Sequence, residues 1–333
     1  MRPLWLRTGN ARWRNAIRSG VRKLDNLTHS LVGALIGQAG LKKKTGLAMP
    51  ALIIGANLPD VDAACLFWLE GVQHLGFRRG ITHGPPALVL LPLILAGLLY
   101  GFDRWQAKRG KRPEQRLPVS FKWLFLLSFI GCLTHPALDW LNVYGIRLLE
   151  PFSGQWFYGD TLFIIDIWLW ALMGFATWFS LRREKRGGEW RKPARIAMAV
   201  ALGYIGVNGL VTNQAAQSLT SSPTGTEIVI ASPSPFLSFR RELISGGNGL
   251  YTVDDKTLPG VPLDRCDFRR ARAEDASVDA FLIWSRTPFV EPQEDGTLWL
   301  RDARFYDPLA RDRFSVQIPA SACPQVRTEP SPR

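Results

Sequence analysis

The stretch Thr134-His135-Pro136-Ala137-Leu138-Asp139-Trp140 closes a long apolar run, and it governs how the rest of the chain is interpreted. Three related stretches precede it: Asp25-Asn26-Leu27-Thr28-His29, Asn57-Leu58-Pro59-Asp60-Val61-Asp62 and Arg79-Gly80-Ile81-Thr82-His83-Gly84. The chain has four histidines, and three of them follow a threonine in these stretches. Histidines and aspartates placed in such apolar surroundings indicate a metal site, because ionisable groups within a membrane are usually functional.

Composition divides the chain into two parts. Hydrophobic residues make up 47% of the 333 residues, and the long apolar runs lie before about residue 215. Those runs cover residues 30–41, 47–69, 85–102, 119–135, 162–181 and 194–211. The first would rise only about 18 Å as a helix, too little to cross a bilayer alone. The pattern predicts an α-helical multi-span membrane domain over residues 25–215.

The charge is strongly basic, with a net value of +13, which is also typical of nucleic-acid-binding proteins. Here, however, the basic residues cluster beside the apolar runs, at residues 42–44, 104–116 and 182–186. Cytoplasmic loops of membrane proteins show this pattern, so we expect lipid as a partner and no nucleic acid. If these clusters are cytoplasmic, tracing the spans outward places all four histidine and aspartate stretches on the outer side.

Residues 1–24 contain seven basic residues and no acidic residue. They are either a basic amphipathic lead that lies on anionic lipid or the result of a misassigned start, with Leu24 as the natural first residue. The outward tracing would place these charges outside, which favours the Leu24 start or a re-entrant first helix.

Residues 216–333 change character and predict a small, mostly β, extracytoplasmic domain. Short β-type runs bounded by Gly, Pro or Asp occur at residues 227–231, 249–253, 280–284, 297–300 and 314–318. Cys266 and Cys323 can form a disulfide if this domain lies outside the cytoplasm, but the sequence does not give their separation in space and leaves the pairing open.

Six side chains are candidate metal ligands: His29, Asp60, Asp62, His83, His135 and Asp139. Imidazole and carboxylate together suit zinc, manganese or iron, whereas all-oxygen sites suit magnesium or calcium. Six candidates exceed the three protein ligands of a usual catalytic zinc site, so one or two ions are expected. His135 and Asp139 share a face if the helix continues through Pro136, although Pro136 also suits a helix start. Each residue also has an ordinary interpretation, as a packed histidine or a helix cap.

These motifs resemble those of the YdjM-like family of inner-membrane metal-dependent hydrolases over roughly residues 25–180. The family has an early His, a Leu-Pro-Asp-x-Asp element, a His-Arg-Gly-x-Thr-His element and a later His-x-x-x-Asp, which match His29, residues 58–62, residues 79–83 and residues 135–139. Two positions depart from the pattern. Arg78 stands where the family often has His, and Ala63 where some members have His, which leaves the ligand count and the number of metals open.

The resemblance implies a membrane-bound, metal-dependent inner-membrane hydrolase and gives no substrate. It does not cover the C-terminal domain, which the outward tracing of the spans places on the periplasmic side. We expect a metal-activated water, with Asp62 or Asp139 as base, to attack a phosphoester or lipid-like substrate held by Arg78 or Arg79. Arg79 is also a candidate catalytic residue. Two other functions stay open: a transporter or ion-handling protein, and a membrane anchor with a structural metal.

Overall fold

The computed structural model describes residues 26–220, 228–234, 237, 239–308 and 310–324. The basic lead at residues 1–24 and Glu227, the first residue of an expected strand, lie outside the described residues. Within them the chain is helical up to residue 220 and then forms small antiparallel sheets. The predicted fold class, helical membrane part followed by β part, is confirmed.

The α-helices of the described residues are α1 (26–38), α2 (Ala48–Gly55), α3 (His74–Phe77), α4 (Pro85–Lys108), α5 (Phe121–Trp140), α6 (Ile167–Lys185), α7 (Arg191–Thr220), α8 (Phe268–Glu274) and α9 (Ala276–Trp284). Short 3-10 helices cover Leu41–Lys43, Leu58–Phe67, Ile81–His83, Leu263–Arg265, Ala303–Phe305 and Ala320–Ala322. The strands are β1 (Ile228–Pro233), β2 (Arg241–Gly247), β3 (Leu250–Val253), β4 (Lys256–Thr257), β5 (Pro288–Pro292), β6 (Leu298–Asp302) and β7 (Ser315–Ile318).

The chain forms two compact units, each made of separate segments. The first contains the described residues up to Pro59, then His83–Asp139 and Ile164–Ile205. The second contains Asp60–Thr82, Trp140–Phe163 and the described residues from Gly206 onward. These boundaries differ from the predicted domains of residues 25–215 and 216–333, so that division stays a prediction.

Three helices in the described part are long and apolar enough to cross a membrane: α4, α5 and α7. The bent pair formed by α2 and the 3-10 helix Leu58–Phe67 makes a fourth if it counts as one span. Helix α6, which covers most of the predicted run 162–181, is not among them. Its last four residues are charged, which leaves 15 of its 19 residues (19 − 4) as an apolar stretch.

Glycines allow three helices of the first unit to pack closely. A Cβ atom on Gly33 of α1 would lie 2.7 Å from the Leu52 carbonyl oxygen of α2. A Cβ on Gly131 of α5 would lie 2.6 Å from the same oxygen, and one on Gly55 would lie 2.7 Å from the Ser128 oxygen. Helices α1 and α5 therefore contact the backbone of α2 directly, which fixes their ends relative to one another.

The basic loops of the first unit meet at one end of these helices. Lys42, just after α1, forms an ion pair with Glu184 near the end of α6. Thr45 donates a hydrogen bond to the Pro118 carbonyl oxygen, 3.2 Å away, in the loop before α5. His29 lies in the first turns of α1 and His135 in the last two turns of α5, so both lie toward the opposite helix ends. A common end for the basic loops is the arrangement that the positive-inside rule predicts.

The second unit contains two antiparallel sheets, ordered β1-β2-β3-β4 and β5-β6-β7. Strands β3, β6 and β7 match the predicted runs at residues 249–253, 297–300 and 314–318. The prediction of a strand at residues 280–284 is wrong, because these residues end helix α9. The Asp275 side chain accepts a hydrogen bond from the Ser277 N–H and starts that helix. Cys266 and Cys323 form a disulfide.

Candidate metal centre

Three histidines converge on one carboxylate inside the first unit. The Nε2 atom of His29 lies 3.7 Å from Asp139 Oδ1, and those of His83 and His135 lie 3.5 and 3.4 Å from Asp139 Oδ2. All four side chains are buried, with exposures of 2% or less. Four residues from three separate chain segments therefore form one polar cluster in an apolar helical unit.

Helix α5 places two members of this cluster on one face. It continues through Pro136, so His135 and Asp139 are separated by one helical turn, as the first of the two predicted alternatives requires. The Thr134 hydroxyl donates to the Gly131 carbonyl oxygen, 2.7 Å away, in the turn before the proline. His83 ends a short 3-10 helix immediately before α4, and His29 lies in the first turns of α1.

The ring orientation of His135 is fixed by a backbone contact. Its Nδ1 atom lies 2.7 Å from the Ala56 carbonyl oxygen. Because a carbonyl oxygen only accepts, Nδ1 carries the hydrogen and donates it. The Nε2 atom, which faces Asp139, is then the nitrogen available as a ligand. Metal-binding histidines commonly have this kind of supporting hydrogen bond.

The cluster fits a divalent metal by distance and by chemistry. Two ligand atoms on one tetrahedral zinc ion are about 3.3 Å apart, given metal–ligand bonds of about 2.0–2.1 Å. The distances of 3.4, 3.5 and 3.7 Å from the three imidazoles to Asp139 are close to this value. Ligand atoms of His83, His135 and Asp139 all lie within 4.8 Å of one another. Nitrogen and carboxylate donors together suit zinc, manganese or iron.

The two predicted aspartate ligands, Asp60 and Asp62, belong to the second unit, where they bind the following motif. Arg78 contacts both, with Nη2 at 2.7 Å from Asp60 Oδ1 and Nε at 3.4 Å from Asp62 Oδ1. Asp62 Oδ2 accepts from the Arg79 N–H at 2.8 Å and from the Thr82 hydroxyl at 3.2 Å. The two motifs thus interlock through a fixed carboxylate. Roles for Asp60 and Asp62 as ligands or base stay predictions.

The structure places the two predicted substrate-binding arginines differently. The Arg78 side chain is partly exposed, whereas Arg79 is buried. The Arg79 guanidinium donates to Asn142 Oδ1 at 3.0 Å and to the Gly145 carbonyl oxygen at 3.2 Å. Its backbone has a φ of 56°, a left-handed conformation that costs energy for a residue with a side chain. Substrate binding by either arginine, and catalysis by Arg79, stay predictions.

The sequence analysis did not identify Arg147, which binds the backbone around the motif that contains Arg78 and Arg79. Its guanidinium donates to the carbonyl oxygens of Gly76 and Phe77 at 2.9 and 3.1 Å. The backbone N–H of Arg147 donates to the Arg79 carbonyl oxygen at 3.0 Å. The partners are backbone atoms, which leave no pattern of residue types, so the sequence contains no signal for this contact.

Tyr144 lies beneath the Arg79 guanidinium, whose central carbon is 4.5 Å from the ring centroid. Burial raises the pKa of the Tyr144 hydroxyl to about 12, although the charges of Arg78 and Arg79 act in the opposite direction. The phenol therefore stays protonated near neutral pH and serves as a neutral platform for Arg79.

The fourth histidine, His74, lies in α3 of the second unit, where its Nδ1 contacts the Gly71 carbonyl oxygen at 3.0 Å.

Comparison with known proteins gives a family match. The family model described as YdjM inner membrane protein matches residues 24–215, which is 192 of the 333 residues (215 − 24 + 1). The chain is also 25% identical over 282 residues to a Bacillus subtilis (strain 168) protein with the name "Uncharacterized protein YfhP", covering 79% of this chain and 80% of that relative. No solved structure is significantly similar to the chain.

The family match confirms the resemblance drawn from the four motifs and extends beyond residue 180. It ends at residue 215, so the C-terminal region lies outside it. Three apolar helices with exposed side chains such as Leu98, Leu202 and Leu210 are those of a membrane protein in contact with lipid. The chain therefore belongs to the YdjM inner membrane protein family.

Proposed function

We propose that this protein is a membrane-bound, metal-dependent hydrolase whose metal is held by His29, His83, His135 and Asp139. The observation that supports the proposal best is the convergence of three buried imidazoles on the Asp139 carboxylate. A divalent ion held there would supply a Lewis acid and lower the pKa of water enough to give a nucleophile near neutral pH.

The residues of the chain have distinct tasks in this proposal. Asp139 neutralises part of the metal charge and aligns the three imidazoles. The Ala56 carbonyl oxygen holds His135 in the tautomer that presents Nε2. Asp60 and Asp62 are proposed as further ligands of one or two ions. If Asp62 stays uncoordinated it is proposed as the base, because the Arg79 N–H and the Thr82 hydroxyl hold its carboxylate in one orientation.

We propose a phosphoester or another anionic, lipid-like compound as substrate. Arg78 is the better of the two predicted anion-binding residues, because its side chain is partly exposed whereas Arg79 is buried. Its guanidinium also pairs with Asp60 and Asp62, so an anion would share it with these carboxylates. A planar guanidinium is well matched to phosphate oxygens. The membrane location makes amphiphilic substrates available at high local concentration.

A second function, a membrane anchor with a structural metal, is favoured by one observation. The four residues of the cluster are 0–2% exposed, and structural zinc sites are closed whereas catalytic sites keep an open position. In this alternative the ion stabilises the helical unit and the C-terminal region binds a partner.

The first test is metal content of the detergent-purified full-length protein by elemental analysis after reconstitution with zinc or manganese. We expect about one or two ions per chain. The His83→Ala and His135→Ala variants should lose this metal. The matched control is His74→Ala, because His74 lies outside the cluster. Equal metal content in all four proteins, or none in any, would exclude the proposed site.

A second measurement separates the hydrolase from the anchor. The cobalt-substituted protein should hydrolyse bis(p-nitrophenyl) phosphate, and inorganic phosphate should alter its visible absorption spectrum. A structural ion in a closed shell predicts neither turnover nor a spectral change. A metal that binds stoichiometrically with both results negative would therefore favour the anchor.

We infer that the C-terminal region lies on the extracytoplasmic side. The disulfide between Cys266 and Cys323 supports this location, because such bonds persist in oxidising compartments. The basic loops share one end of the helices, and the positive-inside rule predicts that this end is cytoplasmic. A cysteine introduced at exposed Leu250 should react with a membrane-impermeant maleimide in cells with a permeable outer layer, whereas one at Lys43 should not. The reverse labelling pattern would refute the orientation.

A further inference from the structure

We propose that Arg304, in the C-terminal region outside the family match, is a positioning residue for Asp62. It would act through residues 140–163, here called the connection, which follow Asp139 directly. Of the two measurements below, cobalt affinity rests on the proposed function, whereas hydrogen exchange is independent of it. The physical basis is a continuous series of contacts within the second unit.

The first step joins the C-terminal region to the connection. Arg304 Nη1 donates to the Val143 carbonyl oxygen at 2.7 Å. The Arg304 side chain is fully buried, and Asp302 holds it through two hydrogen bonds of 2.8 Å from Nε and Nη2. A buried guanidinium with a bidentate carboxylate partner has little freedom, so Val143 is held at a fixed point.

Two more arginines hold the far end of the connection. Arg286 Nη1 lies 2.7 Å from Asp160 Oδ2, and Arg241 Nη2 donates to the Thr161 carbonyl oxygen at 3.2 Å. Arginine suits this task because it offers five N–H donors in a rigid plane. The connection is thus held at residues 143, 160 and 161.

The second step joins the connection to the arginine motif. Asn142 and Gly145, on either side of Val143, accept hydrogen bonds from Arg79. Arg147 binds the backbone of Gly76 and Phe77. A Cβ on Gly80 would lie 2.7 Å from Arg147 Nη2, so the two segments also pack without space for another side chain.

The third step reaches the carboxylate. The Arg79 N–H donates to Asp62 Oδ2 at 2.8 Å, and this N–H points correctly only while Arg79 keeps its left-handed backbone. The side-chain contacts of Arg79 with Asn142 and Gly145 maintain that conformation. Releasing Val143 should therefore loosen Arg79 and, with it, the orientation of Asp62.

The test compares Arg304→Lys with Arg301→Lys in the full-length protein. Both arginines are buried, and Arg301 pairs with Glu291 inside the C-terminal region, so it is a matched control. Hydrogen exchange should become about tenfold faster at residues 76–82 and 140–147 in Arg304→Lys. In Arg301→Lys these residues should exchange as in the unmodified protein.

Cobalt affinity provides the functional readout. We expect it to fall about tenfold in Arg304→Lys and to stay unchanged in Arg301→Lys, in the range typical for residues that orient a metal site. Asn142→Ala, which leaves the C-terminal region intact, should give the same exchange pattern at residues 76–82 and serves if Arg304→Lys does not fold.

Each alternative result has a defined meaning. Faster exchange confined to residues 286–318 in Arg304→Lys would overturn the proposal. Faster exchange at residues 76–82 with unchanged cobalt affinity would support Arg304 as a positioning residue and remove Asp62 from the proposed metal site. If the unmodified protein binds no cobalt, the proposed function fails, and the exchange pattern alone then decides whether Arg304 positions Asp62.

Discussion

Asp139 is the residue on which the candidate metal centre depends most. Its carboxylate oxygens lie 3.4–3.7 Å from the Nε2 atoms of His29, His83 and His135, and in the proposed site it would supply negative charge to a divalent ion. Asparagine has the same shape but no charge and should weaken the site severely.

We predict that Asp139→Asn lowers zinc affinity at least about 100-fold, measured by competition with a chromophoric chelator. The control is Asp103→Asn, since Asp103 is also a buried carboxylate on a membrane-spanning helix but pairs with Arg112 and Arg116. Equal affinity in Asp139→Asn and the unmodified protein would remove Asp139 from the ligand set.

Asp302 gives the C-terminal region a defined dependence on pH. Burial raises its pKa, but the charge and hydrogen bonds of Arg304 and the hydroxyls of Ser285 and Thr287 outweigh burial and lower the pKa to about 2. Because the folded pKa lies below the ordinary 3.8, the carboxylate contributes stability that is fully present above pH 4 and is lost as the pH falls toward 2.

We expect the free energy of unfolding to fall by about 2 kcal/mol across this pH range from Asp302 alone, at 1.36 kcal/mol per pKa unit. Urea titrations of the full-length protein, followed by hydrogen exchange at residues 285–306, would measure it. The double variant Asp302→Asn/Arg304→Gln removes both charges and should have a shallower pH dependence. An identical dependence in that variant would assign the effect to other carboxylates.

At the scale of elements, close contact between α2 and α5 sets the position of His135 relative to Ala56. Gly131 lies one turn before His135, and a Cβ there would be 2.6 Å from the Leu52 oxygen and 3.0 Å from the Ala56 nitrogen. Both atoms belong to the backbone, so they have little freedom to move. The helices must separate to admit a methyl group.

We predict that Gly131→Ala destabilises the first unit by about 1–3 kcal/mol and weakens metal binding, because His135 moves away from Ala56. Thermal unfolding in detergent and the zinc titration would measure the two effects. The control is Gly97→Ala in α4, where a Cβ would meet no atom within 4 Å and where alanine favours the helix. Equal losses in both variants would point to a general cost of alanine in these helices.

The elements that the sequence predicted well are those with long periodic or charged patterns. Apolar length located α4, α5 and α7, and the basic clusters located one end of the first unit. The spacing of His135 and Asp139 matched one helical turn. Short apolar runs were less informative, because residues 280–284 fit a strand or a helix equally well, and only the Asp275 cap distinguishes them.

Strands β2 and β5 were not predicted, since β2 contains charged residues and two glycines and β5 is bounded by prolines. The contacts of Arg147 and Arg304 also have no sequence signature. Both side chains bind carbonyl oxygens, which every residue has, so only the folded backbone identifies their partners.

For the whole molecule, the disulfide closes a large part of the C-terminal region. Cys266 and Cys323 are 57 positions apart, and a covalent link over that distance restricts the unfolded chain. By the loop-entropy relation it stabilises the folded state by about 4 kcal/mol, an upper value when the native geometry is relaxed.

We predict that Cys266→Ser/Cys323→Ser lowers the urea midpoint of the C-terminal region, whereas the helical part unfolds at an unchanged concentration. Proteolysis at increasing urea, with fragments identified by mass, would resolve the two. Adding a reductant to the unmodified protein should reproduce the shift. No shift under either treatment would show that the bond adds no stability.

The discontinuous second unit has a consequence for how the protein is made. Its first segment begins at Asp60, but the support we assign to Arg304 is synthesised 242 residues after Asp62 (304 − 62). At about 5–20 residues per second, the ribosome needs roughly 10–50 s to cover that distance. The carboxylate motif therefore lacks this support until most of the last third of the chain has been translated. A chain that stops short of Arg304 can insert its spans, yet it presents an unfinished segment to the cell's quality-control proteases.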